Sequence, residues 1–351
     1  MERVLARERS DKSLARFERI ALVLSGGEAL GAYQAGAYAA LEKSGVRPNW
    51  IAGTAIGALN AAIIAGNLPH ERVLRLRQFW HEVSRRATQR SSRTLGRWAQ
   101  KTAGLCLSRL RRGSHFVPAA GGPIVPAPEL REMVAKAVDF ERVNSAAVRV
   151  VLGAVNLSTG AETFFDNDRH VLGPDHVLAS TPLSGLPPVA IGEQLFAGSV
   201  VPVSALDDAR PADTLCFAVD GYDPVPGGQG GISRTAREIA AMRRTHDLRR
   251  MIGLLGERLP PKARGEVDIR RCLAQASDAT MTILHLVHEG EVADLVAKMA
   301  DFSSDSLTRR WISGERDVAT SLAHPRWLAP RSRLSGVVVH EVRDGIVAPP
   351  R

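Results

Sequence analysis

The sequence predicts an α/β protein: a mainly parallel sheet with helices on both faces, followed by a mainly helical C-terminal extension. Three observations predict it. The apolar run Ile20-Ala21-Leu22-Val23-Leu24 breaks into Ser25-Gly26-Gly27 and gives way to an Ala-rich segment over residues 32–45, which is a strand, a glycine loop and a helix. The same pattern recurs at once, with the short run Trp50-Ile51-Ala52-Gly53 followed by helix-like composition over residues 56–65. Both runs are apolar throughout instead of alternating, which marks parallel strands covered on both faces. Beyond residue 232, helix-length segments dominate, with strand-like runs only near residues 279–287 and 334–342.

The elements follow in chain order. Residues 71–80 continue as helix, and a basic stretch runs on to Arg112. Four prolines between His115 and Pro128 make a loop, and Pro128 opens a helix that reaches Val138. A strand over residues 148–157 turns at Ser158-Thr159-Gly160 into a partner over residues 162–166. Pro187-Pro188 then holds the chain extended into residues 189–191, and Gly192-Glu193 turns it back into 194–196. Residues 214–219 form the last strand before a stretch, 221–231, with five glycines and two prolines, which reads as a boundary. The expected organisation is a charged segment at 1–18, an α/β domain at 19–221 and an extension at 232–342. In the extension, Ser233 caps a basic helix to residue 257 whose Ile239, Met242, Leu248, Met251 and Leu255 share one packing face. Pro260-Pro261 ends it, and another helix spans 304–322.

The 351 residues are enough for a large core, and the formal net charge is +9. The N-terminus lacks the apolar centre of a signal peptide, and nowhere do about 18 apolar residues run together, so the chain reads as soluble and cytoplasmic. Cys106, Cys216 and Cys272 are odd in number and widely spaced, and read as ordinary small apolar residues in a reducing compartment. Between Arg72 and Arg112 twelve Lys or Arg face one acid, Glu82. Within that stretch Leu95, Trp98, Thr102, Leu105 and Leu110 approximate one helical face and Arg93, Arg97, Lys101, Arg109 and Arg112 lie largely elsewhere. Such a helix suits an anionic membrane surface; the competing reading packs its apolar stripe on the core and leaves the basic face in water. Nucleic acid is not expected, since no binding motif is present and aromatics are 5% of the chain.

Gly53-Thr54-Ala55-Ile56-Gly57 has the spacing of a nucleophile elbow, in which two glycines permit a sharp strand-to-helix turn that presents a serine. Here Ala55 holds the central position. This motif and the glycine loop carry a resemblance to the patatin-like phospholipases, which are serine lipid acyl hydrolases. The segment Ser25-Gly26-Gly27-Glu28-Ala29-Leu30-Gly31 resembles that family's oxyanion loop, and the stretch from Gly53 to Asn60 resembles its elbow. Ala197-Gly198-Ser199-Val200-Val201 stands where the family carries Asp-Gly-Gly ahead of a Val-Val run. The resemblance covers roughly residues 18 to 220. The extension resembles one carried by a bacterial branch of the family, in Ile283-Leu284-His285-Leu286 and His324-Pro325-Arg326-Trp327-Leu328.

The resemblance implies a serine that attacks an ester and an aspartate that takes its proton. Ala55 and Ala197 supply neither. Losing a hydrolase nucleophile costs about 10⁶ in turnover, on the order of 8 kcal/mol. The oxyanion loop departs too: Glu28 stands for a third glycine and Leu30 for the usual Arg or Lys. Glu28 either fills the oxyanion position or points to solvent as an ordinary first-turn acid. The expected function is a catalytically inactive homologue that keeps a lipid-binding cleft or a protein-interaction surface. Two alternatives stand beside it: an active acyl hydrolase working through an unrecognised residue, and an engineered inactive variant. Five departures at one site, Ser199 included, favour natural decay over engineering. Thr54 is expected to face away from the cleft, and Asp220, His285 and His288 to be structural. No cofactor or metal is expected: Gly26, Gly27 and Gly31 lack a P-loop lysine and a ribose-binding acid, and the histidines lack zinc spacing.

Overall fold

The computed structural model describes residues 14–98, 125–181, 186–198, 200, 202–208, 212–220, 234–288, 301–324, 327, 334–343 and 346–347. Among them, ten strands join one sheet. In chain order these are β1 (Arg19–Ser25), β2 (Trp50–Gly53), β3 (Arg149–Asn156), β4 (Glu162–Asp166), β5 (Val189–Ile191), β6 (Gln194–Ala197), β7 (Thr214–Asp220), β8 (Met281–Val287), β9 (Val337–Arg343) and β10 (Ile346–Val347). The order across the sheet is β10-β9-β8-β7-β1-β2-β3-β6-β5, with β4 also on β3. The central ladders β9-β8-β7-β1-β2-β3 are all parallel. β4, β5, β6 and β10 pair antiparallel at the flanks.

The described helices are α1 (Gly31–Lys43), α2 (Ile56–Ala65), α3 (Arg72–Trp98), α4 (Ala127–Ala137), α5 (Phe140–Asn144), α6 (Pro174–Ala179), α7 (Arg234–Arg258), α8 (Pro261–Arg264), α9 (Val267–Leu273) and α10 (Ser304–Ala323). Two 3₁₀ segments, Glu28–Leu30 and Pro202–Asp208, complete the list. Helices cover both faces. Leu22, Leu24, Phe217, Val219, Leu284 and Leu286 point into the larger core, with Tyr33 and Ala37 of α1 and Trp311 and Val318 of α10. Ala21, Val23, Cys216, Ala218 and Ile283 point the other way, onto Ile239 and Met242 of α7 and onto Val203 and Leu206. That two-sided cover is the reason β2, β7 and β8 are buried at every position and β1 over its last five residues.

The residues after 232 are largely helical, as expected, yet they also lengthen the parallel sheet: β8 and β9 continue it from β7 in unbroken register. α10 crosses α1 at very close range. A Cβ on Gly36 would lie 2.0 Å from the Trp311 carbonyl oxygen, and one on Gly314 would lie 2.1 Å from that of Tyr33. Only paired glycines let two backbones approach that closely.

Two sequence readings change. Leu248, Met251 and Leu255 do not share a packed face with Ile239 and Met242: the latter two are buried and the former three exposed. Helical phase explains it, because the inward stripe continues from Met242 to Gly253 and Gly256, half a turn away from Leu248 and Leu255. Cys272 is exposed, while Cys216 is buried and burial pushes its thiol up to about 12, which leaves it an inert packing group. The basic stretch begins as one helix, α3, through Trp98. Residues 99–112, the boundary at 221–231 and most of the charged segment at 1–18 lie outside the described residues.

Candidate functional site

Going rightward from β1 the chain fills β2 and β3, and it later returns to place β7 on the other side of β1. The border between β1 and β7 is therefore where strand succession reverses, and open parallel sheets hold ligands in the crevice outside the carboxyl ends there. Ser25 ends β1 directly opposite Asp220, which ends β7. The glycine loop leaves from this point. Gly26 has φ 42°, Gly27 has φ 104° and Glu28 has φ 43°, so three consecutive residues occupy the left-handed region before the chain enters the 3₁₀ turn and α1. For Glu28, which has a Cβ, that conformation is strained.

A buried polar chain holds the loop. The Gln34 side-chain amide donates to the carbonyls of Ser25 and Gly26, each at 3.0 Å. The Asn60 amide donates to the Gly31 carbonyl at 2.9 Å and to Gln34 Oε1 at 3.0 Å, and Trp80 Nε1 donates to Asn60 Oδ1 at 3.1 Å. All three side chains are buried, so these bonds lie in a low-dielectric setting where an orphaned partner is costly. Gly31 has no room for a side chain: a Cβ would sit 2.4 Å from the Trp80 ring and 2.6 Å from Ile56. Asn60→Ala is expected to destabilise by about 2 kcal/mol, since it strands Trp80 Nε1 and Gln34 Oε1 together. Thermal unfolding checks it, and an unchanged midpoint would remove the chain from the account of the loop.

The second element is the corner between β2 and α2. Thr54 N donates to the Leu24 carbonyl, and Ala55 follows with φ 52° and ψ −131°. That is a strained backbone for a residue with a Cβ. It is held on both sides: Ala55 N donates to the Ser180 carbonyl at 2.6 Å, and Thr181 Oγ1 shares its one proton between the Val177 carbonyl at 2.6 Å and the Ala55 carbonyl at 3.0 Å. The flanking glycines are needed for close approach. A Cβ on Gly53 would lie 2.5 Å from the Gly57 carbonyl oxygen, and one on Gly57 would lie 2.1 Å from that of Leu24. Thr54 is buried and donates to the Gly153 carbonyl at 3.3 Å, away from the crevice as its alternation with Ala55 requires. Ile56 is buried under the loop helix.

Ala197 is the last residue of β6 and lies opposite Val155 of β3. Val155 already pairs with Glu162 of β4, so β6 must lie on the other flank of β3, the flank that β2 occupies through Leu152. β6 therefore runs in the lane of β2, beyond its carboxyl end. Val155 is three residues past the partner of Gly53, on the order of 10 Å along the lane. The turn at Ala55 fills that interval. Gly198 follows with φ 95°, and Ser199 lies outside the described residues. The glycine loop, the Ala55 corner and Ala197 thus gather at one end of the sheet, in adjoining lanes.

Leu30, which stands where the family resemblance implies Arg or Lys, is fully buried in the core. A buried cation does reach the loop from elsewhere. Arg310 of α10 donates to the Ala29 carbonyl at 3.3 Å and to the Asp301 carbonyl at 2.7 Å, and burial lowers its pKa against the opposing pull of Asp301. Glu28 is half-buried and engaged with its surroundings. Asp220 is fully buried and meets His285 Nε2 through Oδ2 at 3.3 Å, while its Oδ1 has no hydrogen-bond partner. Ser25 Oγ accepts from Thr235 Oγ1 at 3.2 Å. His288, at opposite parity to His285, stacks on Tyr33 with ring centroids 4.9 Å apart. Among the described residues, no cluster of three or more His, Cys, Asp or Glu could hold a metal ion. Gln34, Asn60 and Arg310 were not singled out in the sequence, although a lone amide in each of two Ala-rich helices was a readable sign of a buried partner.

Fold and site together define an α/β protein with a glycine loop and a strained strand-to-helix corner at the carboxyl ends of a parallel sheet. The sequence profile of the patatin-like phospholipases matches residues 22–210, and a second profile, described as patatin phospholipase, matches residues 232–334. The chain belongs to the patatin-like phospholipase family. No curated protein matches it. Among solved structures, VipD from Legionella pneumophila aligns over 85% of this chain and 67% of its own at 13% identity and a TM-score of 0.32, a likeness too slight to carry an inference.

Proposed function

We propose that this chain is a catalytically silent member of its family that keeps the acyl-binding cleft as a binding site for lipid or for a protein partner. The observation that supports it most is Ala55, whose backbone keeps the strained φ 52°, ψ −131° of a nucleophile elbow while its side chain is a methyl group. Strain of this kind costs about 1–3 kcal/mol and persists only where surrounding structure enforces it, here through Ser180 and Thr181. A methyl cannot attack an ester. Ala197, in the position where the resemblance implies the proton acceptor, cannot take a proton.

The competing reading, an acyl hydrolase working through another serine, turns on Ser25 and Ser199. Ser25 is buried and its hydroxyl accepts from Thr235 Oγ1, which is no base, while Ser199 lies outside the described residues. A fluorophosphonate probe tests this directly. No labelled serine is expected in the pure protein, and stoichiometric labelling of any serine would overturn the reading. No described helix is long and apolar enough to cross a membrane, so lipid would be met from the aqueous side.

A further inference from the structure

The described cations of the basic stretch after Arg72 are tied into the fold. Arg72 is buried and donates to the Asn67 carbonyl and to Tyr38. Arg75 pairs with Glu71, and Arg77 pairs with Glu315 and lies over the Trp311 ring. Arg85 and Arg86 share Glu82, and Arg86 also reaches Glu129. These groups bind the protein to itself.

The arm made by the second half of α7 with α8 and α9 differs. The first half of α7 packs on the sheet through Thr235, Ile239 and Met242. Further along, the inward stripe is carried by Gly253 and Gly256, which admit Ala276 and Leu273 at close range. On the opposite side stand Leu248, Met251 and Leu255, spaced i, i+3 and i+7 and exposed by 54%, 42% and 64%. A solvated helix places polar groups on its outward face; here that face is apolar over about 10 Å. Arg244, one turn before Leu248, and Arg258, three residues after Leu255, flank it on the same side, and both are exposed. Residues 244–273 carry eight Lys or Arg against four acids, so the arm is net positive.

We propose that the outward face of α7, centred on Leu248, Met251 and Leu255 and framed by Arg244 and Arg258, is a docking surface for an anionic lipid membrane. An apolar stripe bordered by cations, lying along a helix that cannot span, is the geometry of an interfacial helix, with the leucines entering the headgroup boundary and the arginines meeting lipid phosphates. A second copy is a poorer occupant, because a two-fold interface would set this positive face against itself in a chain of charge +9. The proposal is independent of whether the crevice binds acyl chains, since it concerns a different surface.

Vesicle flotation of the full chain tests it, with phosphatidylcholine vesicles and with vesicles containing a third phosphatidylglycerol, at low and high salt. Wild type is expected to float with the anionic vesicles, to float far less with the neutral ones, and to lose recovery as salt rises, because surface attraction is screened within about 8 Å at physiological ionic strength. The triple variant Leu248→Ser, Met251→Ser, Leu255→Ser is expected to partition at least tenfold more weakly with an unchanged unfolding midpoint, as these side chains support no core. Arg244→Glu with Arg258→Glu is expected to lose at least tenfold on anionic vesicles alone. Wild type that fails to float, or a triple variant that floats as well as wild type, would overturn the proposal. So would a concentration-dependent dimer that the triple variant abolishes without any flotation of wild type.

Discussion

Ala55→Ser combined with Ala197→Asp and Glu28→Gly is expected to convert the chain into a measurable esterase on a short acyl ester, about 10³ above the uncatalysed background, while Ala55→Ser alone stays near background. The corner is already built: the strained backbone of Ala55 is clamped by Ser180 and Thr181, and serine adds one oxygen to the same Cβ. A serine without a base stays a poor nucleophile, which is why the single change should do little. Glu28→Gly relieves a positive φ and removes a carboxylate from the loop in which the family resemblance implies oxyanion donors, worth about 3–4 kcal/mol where such donors act fully. Leu30 should be left alone, because an arginine placed at that buried position would carry an unpaired charge into the core. Initial rates on a nitrophenyl butyrate decide the matter. Equal activity in the single and triple variants would show that neither Ala197 nor Glu28 limits the site.

Gly314→Val is expected to lower stability by about 3 kcal/mol, enough to move the thermal midpoint down by several degrees. Its Cβ would meet the Tyr33 carbonyl oxygen at 2.1 Å and Ala37 N at 2.8 Å, and these are backbone atoms that cannot turn aside. The wider consequence falls on the crevice, because α1 begins where the glycine loop ends, and α10 also brings Arg310 to the Ala29 carbonyl. Separating α10 from α1 should loosen loop and core together. Calorimetry on wild type and variant tests this, and a midpoint within one degree of wild type would mean that the close crossing contributes nothing.

The sequence by itself determined the two βα units, because strands covered on both faces read as apolar runs and Gly26 and Gly27 permit the left-handed turn out of β1. It determined the corner at Ala55 for the same local reason: Gly53 and Gly57 are there to let backbones touch. The missing oxygen and the missing carboxylate were equally legible, since chemistry absent from a side chain needs no coordinates to be seen. What only the tertiary structure decided are matters of which surface meets which. Leu30 occupies the core, although its loop position resembles one that holds a cation. The apolar residues of α7 divide into a buried set and an exposed set, a consequence of helical phase against a sheet face that only the assembled strands create. Gln34, Asn60 and Trp80 are far apart in the chain and meet because α1, α2 and α3 pack side by side on one face. The residues after 232 extend the sheet, because β8 finds in β7 an uncovered parallel edge with a full ladder of hydrogen bonds to satisfy. Local composition carries the energetics of a strand or a turn, whereas long-range partners are chosen by shape and register, which no single stretch of sequence contains.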